Sequence, residues 1–182
     1  MSQNRYKERI VQALLKSDNH IRGLAKELNT NQMNISRKIN ELYDENVVDY
    51  KLEGRNKVFS IKKTIEARQY AYSVESHKLI KAIAKYPRLR KIIEVIRNRR
   101  DIKLAVIFGS YAKETAKKES DIDIYIETRD RKIKEEISKI DSKLSVKIGL
   151  YNKKNLLIKE IEKNHVIIKG IEEYYEKTKF FE

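Results

Sequence analysis

The chain has 182 residues, room for one domain or two small ones, and its 40% apolar content is enough for a modest core in each half. No apolar run approaches the ~20 residues of a membrane helix, the polar, charged N-terminus is not expected to be a signal peptide, and the lack of cysteine excludes disulfides and thiolate zinc sites. That lack suits a reducing cytoplasm, the expected location. The formal net charge of +14 is uneven: residues 1–62 hold 12 Lys and Arg against 8 Asp and Glu, residues 63–100 hold 11 against 3, and residues 101–182 hold 18 against 16. The excess lies in the N-terminal half and the stretch after it, where a polyanion, most simply a nucleic acid, is the expected partner.

Asn4–Ser17 carries Ile10, Val11, Leu14 and Leu15 at helical spacing, and His20–Leu28 repeats the pattern with Leu24, Ala25 and Leu28. Asn29 is expected to end the second helix. Asn31 is a good N-cap for a third, running to about Asp44 with Ile35, Ile39 and Leu42 inward. Val48–Leu52 and Val58–Ile61 then read as strands joined by Glu53-Gly54-Arg55-Asn56, a hairpin with basic residues near its tip. Two short helices, a tight turn, a third helix and a hairpin describe a winged helix-turn-helix over residues 1–62. The segment from Gly23 to Ile61 resembles the winged helices of small prokaryotic regulators of the ArsR and MarR kind.

On the third helix Met33, Arg37 and Asn40 fall opposite the inward stripe, with Asn34 and Ser36 beside them. These are groove-reading residue types near the start of a recognition helix. Arg55 and Lys57 on the wing are expected to meet phosphates or the minor groove of double-stranded DNA. His20 and His77 are each expected to be a cap or surface residue. Residues 63–100 read as a basic helical connector: one long helix from Thr64 to Lys85, a break at Pro87, and a second helix to about Asn98. Val74, Leu79, Ile80, Ile83 and Ala84 form its apolar set; such a connector either packs against its own domains or forms a homodimer seam, and the seam is the expectation.

Residues 101–182 read as a second domain. An apolar run, Leu104–Phe108, ends in Gly109-Ser110, and ten residues later Asp121-Ile122-Asp123 opens an alternating run. Period-two alternation puts Asp121, Asp123 and Tyr125 on one strand face and Ile122, Ile124 and Ile126 on the other. Two carboxylates aimed the same way repel each other unless a cation sits between them, and hard oxygen ligands suit Mg²⁺. Gly109 admits a close phosphate, and Ser110 offers a hydroxyl and a free amide. Arg131–Leu144 is expected to be helical, Ser145–Leu150 a strand, Lys153–Asn164 a helix and Val166–Lys169 a short strand, ahead of Gly170 and a tyrosine-rich tail. The fold class expected is α+β, with a small mixed sheet flanked by helices.

The segment GSYAKETAKKESDID resembles the GSxARGxxxxxSDID signature of the minimal nucleotidyltransferases of the polymerase-beta superfamily. It follows that form through Ala112, Lys113 and Ser120, and departs at Glu114, where the family usually has glycine. The resemblance implies that Asp121 and Asp123 are catalytic Mg²⁺ ligands. It implies too that Gly109, Ser110, Lys113 and Ser120 bind an NTP, expected to be ATP, whose NMP passes to a hydroxyl on a protein or small molecule. Free-standing relatives often pair with a small helical toxin, so the resemblance implies such a partner. A third carboxylate is expected on the next strand, where this chain reads Val146-Lys147-Ile148-Gly149. Glu127, Asp130 and Asp141 do not sit at that position, so Lys147 is expected to fill the place of the third ligand beside the aspartates. Two readings stand: an active enzyme with an unusual base, and a transcription regulator whose degenerate domain is a nucleotide sensor or dimerisation scaffold.

Overall fold

The computed structural model describes residues 3–182, with side-chain surroundings from Tyr6 onward, and divides into two compact units: the residues up to 74 with 180–182, and residues 75–179. In the first, α1 (Gln3–Leu14), α2 (Ile21–Glu27) and α3 (Gln32–Asp44) bury Ile10, Val11, Leu14, Leu24, Ala25, Ile35, Ile39 and Leu42. The first helix stops at Leu14, short of Ser17, because Lys16, Ser17 and Asp18 are exposed and offer no face to bury. Asn29 takes the left-handed conformation at φ 50° after α2. Asn31 caps α3, its side chain accepting a 2.7 Å bond from the Asn34 N–H.

The hairpin forms from β2 (Val48–Glu53) and β3 (Asn56–Ile61), with Gly54 and Arg55 at the turn. A two-residue strand, β1 (Asn19–His20), pairs with the other side of β3, giving the order β1-β3-β2. Two residues are too few for alternation to register in the sequence. His20 is the N-cap residue of α2, its Nδ1 lying 3.0 Å from Asn19 Oδ1.

Pro87 separates α4 (Ile65–Lys85) from α5 (Leu89–Asn98), as expected. Residues 63–100 do not stand apart as a connector, however. The division between units falls at Val74 inside α4, and Leu79, Ala82, Leu89, Ile92, Ile93 and Ile96 belong to the core of the second unit. Of the apolar set expected along α4, Val74 and Leu79 are buried and Ile83 partly so, while Ile80 is 62% exposed and Ala84 is also exposed. Helical spacing explains the split: Leu79, Ala82 and Ile83 share a face, from which Ile80 and Ala84 turn away.

In the second unit β4 (Ala105–Ile107), α6 (Gly109–Ala112), β5 (Ile122–Glu127), α7 (Arg131–Ser138), β6 (Leu144–Gly149), α8 (Leu156–Lys163) and β7 (Val166–Lys169) follow the expected alternation. A last helix, α9 (Ile171–Thr178), stands where a tyrosine-rich tail was expected, with Tyr174 and Tyr175 buried. The mixed sheet has the order β6-β5-β4-β7; β4 runs antiparallel to β5 and β7, and β5 runs parallel to β6. Ile122, Ile124 and Ile126 are fully buried with Ala105, Ile107, Val146, Ile133, Ile137 and the apolar face of α5. Tyr125, on the opposite face, is only 2% exposed and donates its hydroxyl to the Gly149 carbonyl at 3.0 Å. The middle of β5 is thus covered on both sides, rather than half-buried. Its open end carries Asp123, half-buried, and Asp121, exposed. The architecture is α+β with a mixed sheet, and among the described residues no helix is long and apolar enough to cross a membrane.

Candidate functional site

Antiparallel pairing of β4 with β5 sets Ile107 opposite Ile124, and the Phe108 N–H donates to the Asp123 carbonyl at 3.0 Å. The chain then turns at Gly109, which begins α6 in the left-handed region at φ 67°. A Cβ at Gly109 would stand 2.6 Å from Asp123 Oδ2. Glycine is therefore required twice here, by the backbone and by the carboxylate against it. Gly109 and Asp123, fourteen positions apart in sequence, meet in one site.

Ser110 lies half-buried in the first turn of α6. Lys113 follows the helix and pairs with Glu160 of α8, Nζ to Oε1 3.0 Å. Ser120 shapes the turn into Asp121. Its hydroxyl accepts from the Lys117 N–H at 2.9 Å, and its own N–H donates to the Lys117 carbonyl at 3.0 Å. At Glu114 the resemblance calls for glycine, and the backbone shows why: φ is 60°. Glu114 holds that conformation with its carboxylate 2.7 Å from Lys81 and 3.7 Å from Lys85, while Lys85 also donates to its carbonyl at 2.7 Å. The two lysines hold its carboxyl below the usual range, Lys81 most.

Asp123 has the opposite perturbation. Burial raises its carboxyl above the ordinary range, and the negative charges of Asp121 and Glu160 add to that. The Ser145 hydroxyl and the Lys147 ammonium oppose the rise without cancelling it.

The expectation that Lys147 fills the third-ligand place is corrected by the strand register. Directly opposed residues of a parallel pair share a face, and here Asp123 pairs with Ser145 and Tyr125 with Lys147. Ser145 therefore holds the position beside Asp123. Lys147 is exposed one step further along, and among the described residues it reaches Asp123 through charge rather than an ion pair. The face assignment of β6 was legible from alternation. Its offset along β5 was not, because alternation repeats every two residues.

Asp123 on β5 and Asp121 just before it, with a glycine turn packed against Asp123, fit Mg²⁺ and a triphosphate as a pair of ligands and a cradle. Among the described residues no third acidic or histidine side chain converges with them to complete a cage. When bound, the metal would supply charge neutralisation on the phosphates. Residues 90–174, from within α5 into α9, match the family model described as polymerase beta, nucleotidyltransferase. That match supports nucleotidyl transfer at the level of the superfamily. No curated protein matches the chain.

In the first unit, Met33 (83% exposed), Arg37 and Asn40 form an exposed line on α3, as read from the sequence. Asn34 is half-buried and spends its side-chain amide on Thr30 Oγ1 at 3.2 Å, and Ser36 is half-buried beside it. Arg55 is exposed at the hairpin tip, and Lys57 Nζ lies over the Tyr50 ring, 4.0 Å from its centroid. A groove lined by His20, Arg22, Gln32, Arg55 and Lys57 runs between the start of α3 and the hairpin. Arg22 and Gln32 were missed in the sequence, since only the fold brings them to the hairpin.

Proposed function

We propose that the second unit is a nucleotidyltransferase that moves an NMP from an NTP, expected to be ATP, with Mg²⁺ held by Asp121 and Asp123. The acceptor is a hydroxyl on a protein or small molecule. The observation that carries this is the contact of Gly109 with Asp123, which joins a phosphate-type turn to a carboxylate pair. Gly109 and Ser110 would face the phosphates and Lys113 would neutralise them. A specific observation favours a second reading: Ser145, not an acid, stands opposite Asp123 on the neighbouring strand, which suits a degenerate domain serving as nucleotide sensor or dimerisation scaffold. Calorimetry with ATP and Mg²⁺ tests the first reading. Binding lost in the Asp121→Ala/Asp123→Ala double variant supports it, and binding that survives in that variant refutes it.

The first unit is read as a winged helix-turn-helix that binds double-stranded DNA, in a cytoplasmic homodimer that regulates transcription. The exposed line Met33–Arg37–Asn40, the hairpin cations and the charge surplus support this reading. A small helical toxin-like protein is the proposed protein partner. Affinity for duplex DNA should fall with salt, by about −0.9 in log K against log salt for each phosphate neutralised. Arg37→Ala should weaken preferred sites more than random DNA, and Arg55→Ala should weaken both alike. Binding indifferent to salt would refute the reading.

A further inference from the structure

A cation follows the glycine turn directly in the chain, and that cation is already engaged. Lys113 directly follows α6, whose first residue packs on Asp123, and its ammonium lies 3.0 Å from Glu160 Oε1. Both side chains are close to half exposed, 44% and 47%, so the pair is weakly held and open to competition. A triphosphate offers the lysine several oxygens in place of one carboxylate. Glu160 is fixed on α8 by the buried Ile158 and Ile161 on either side of it, and by Asn155, which caps the helix by accepting from the Leu157 N–H. The Lys113 N–H donates to the Gly109 carbonyl at 3.1 Å, so Glu160 is joined through Lys113 to the turn that packs on Asp123. β6, meanwhile, brings a serine to the place where an acid would be expected.

We infer that the Lys113–Glu160 ion pair is a latch opened by a nucleoside triphosphate: the phosphates take Lys113 and free Glu160 as the proton acceptor of the incoming hydroxyl. This rests on the reading of the second unit as a nucleotidyltransferase. In the transfer step, the acceptor oxygen forms a bond to the α-phosphorus and the bond to the bridging oxygen of the β-phosphate breaks. Pyrophosphate leaves with that bond's electron pair, and the acceptor's proton passes to the Glu160 carboxylate. The proton acceptor is thus supplied by a helix and by ligand exchange, not by the neighbouring strand.

The test uses the full chain, Mg²⁺ and a non-hydrolysable ATP analogue in calorimetry, with radiolabelled ATP for transfer. Glu160→Gln removes the latch and should tighten the dissociation constant roughly two- to fivefold, the range an exposed ion pair can hold back. Lys113→Ala should weaken binding, and in its background Glu160→Gln should change nothing further. Transfer, or self-labelling in the absence of an acceptor, should fall at least about a hundredfold in Glu160→Gln and recover in part in Glu160→Asp. If wild type binds the analogue and Glu160→Gln binds equally or more weakly, the latch is refuted while the nucleotide site stands. Full transfer by Glu160→Gln, or none by wild type with nucleotide bound, refutes the proton-acceptor role. If neither protein binds the analogue, the nucleotidyltransferase reading fails and the latch with it.

Discussion

Replacing Gly109 with alanine adds a carbon 2.6 Å from Asp123 Oδ2, at a backbone φ of 67°. Two separable costs follow. A non-glycine residue in the left-handed region costs about 1–2 kcal/mol, and the carboxylate must swing aside, because Cβ atoms essentially never come so close to a neighbour. The next contacts, Asp123 Cγ at 3.4 Å and Cβ at 3.5 Å, are near ordinary van der Waals distance, so the clash belongs to one oxygen. In an Asp123→Ala background that oxygen is gone and only the backbone cost should remain. Urea unfolding of the four proteins in this cycle should give Gly109→Ala a larger cost in wild type than in Asp123→Ala, with a coupling of about 0.5–1.5 kcal/mol, within the range for contacting residues. Equal costs in both backgrounds would show that Gly109 is not packed on the carboxylate. No cost in either would show that its backbone is not left-handed.

Asp123→Asn should be tolerated, and its pH dependence has a fixed sign. The folded carboxyl binds its proton more tightly than the unfolded one, whose ordinary value is 3.8, so wild-type stability falls as pH rises through the window between the two values. The melting temperature of Asp123→Asn relative to wild type should therefore rise across that window, and a fall would contradict the assignment. Ser145→Asp, directly opposite Asp123, should tighten Mg²⁺ binding measured by calorimetry, whereas Lys147→Asp, one step along, should do so less; the reverse order would mean the β5–β6 register is wrong. Glu114→Gln keeps the left-handed strain and loses the lysine pairs, while Glu114→Gly loses both, so the glycine variant should be more stable by about 1 kcal/mol in chemical denaturation. A glutamine variant at least as stable would argue against strain at this position.

Most element boundaries in both units were legible because burial imposes a period: Ile35, Ile39 and Leu42 on α3, and Ile122, Ile124 and Ile126 on β5. The Gly109-Ser110 turn and the aspartate pair were legible because Gly-Ser ends one apolar run and Asp-x-Asp opens the next, at the spacing of a known signature. What stayed hidden depends on non-local pairing. β1 is too short to show alternation, and Ser145 could not be told from Lys147 because both occupy one face of β6. The Lys113–Glu160 pair links residues 47 positions apart, which no local pattern encodes. The fate of α5 was misjudged for a similar reason, since an amphipathic helix does not state which core it joins.

The pairing of Ile107 with Ile124 has a consequence for how such a site can change over time. Gly109 and Asp123 are held together by the strand ladder and not by the stretch of chain between them. Loop-closure entropy grows only logarithmically with length, so doubling that stretch would cost roughly 0.6 kcal/mol. Loop length is thus nearly free to drift while the ladder keeps the turn and the carboxylate in contact. A new acceptor specificity could be built by insertion here, leaving the phosphate end of the site as it is.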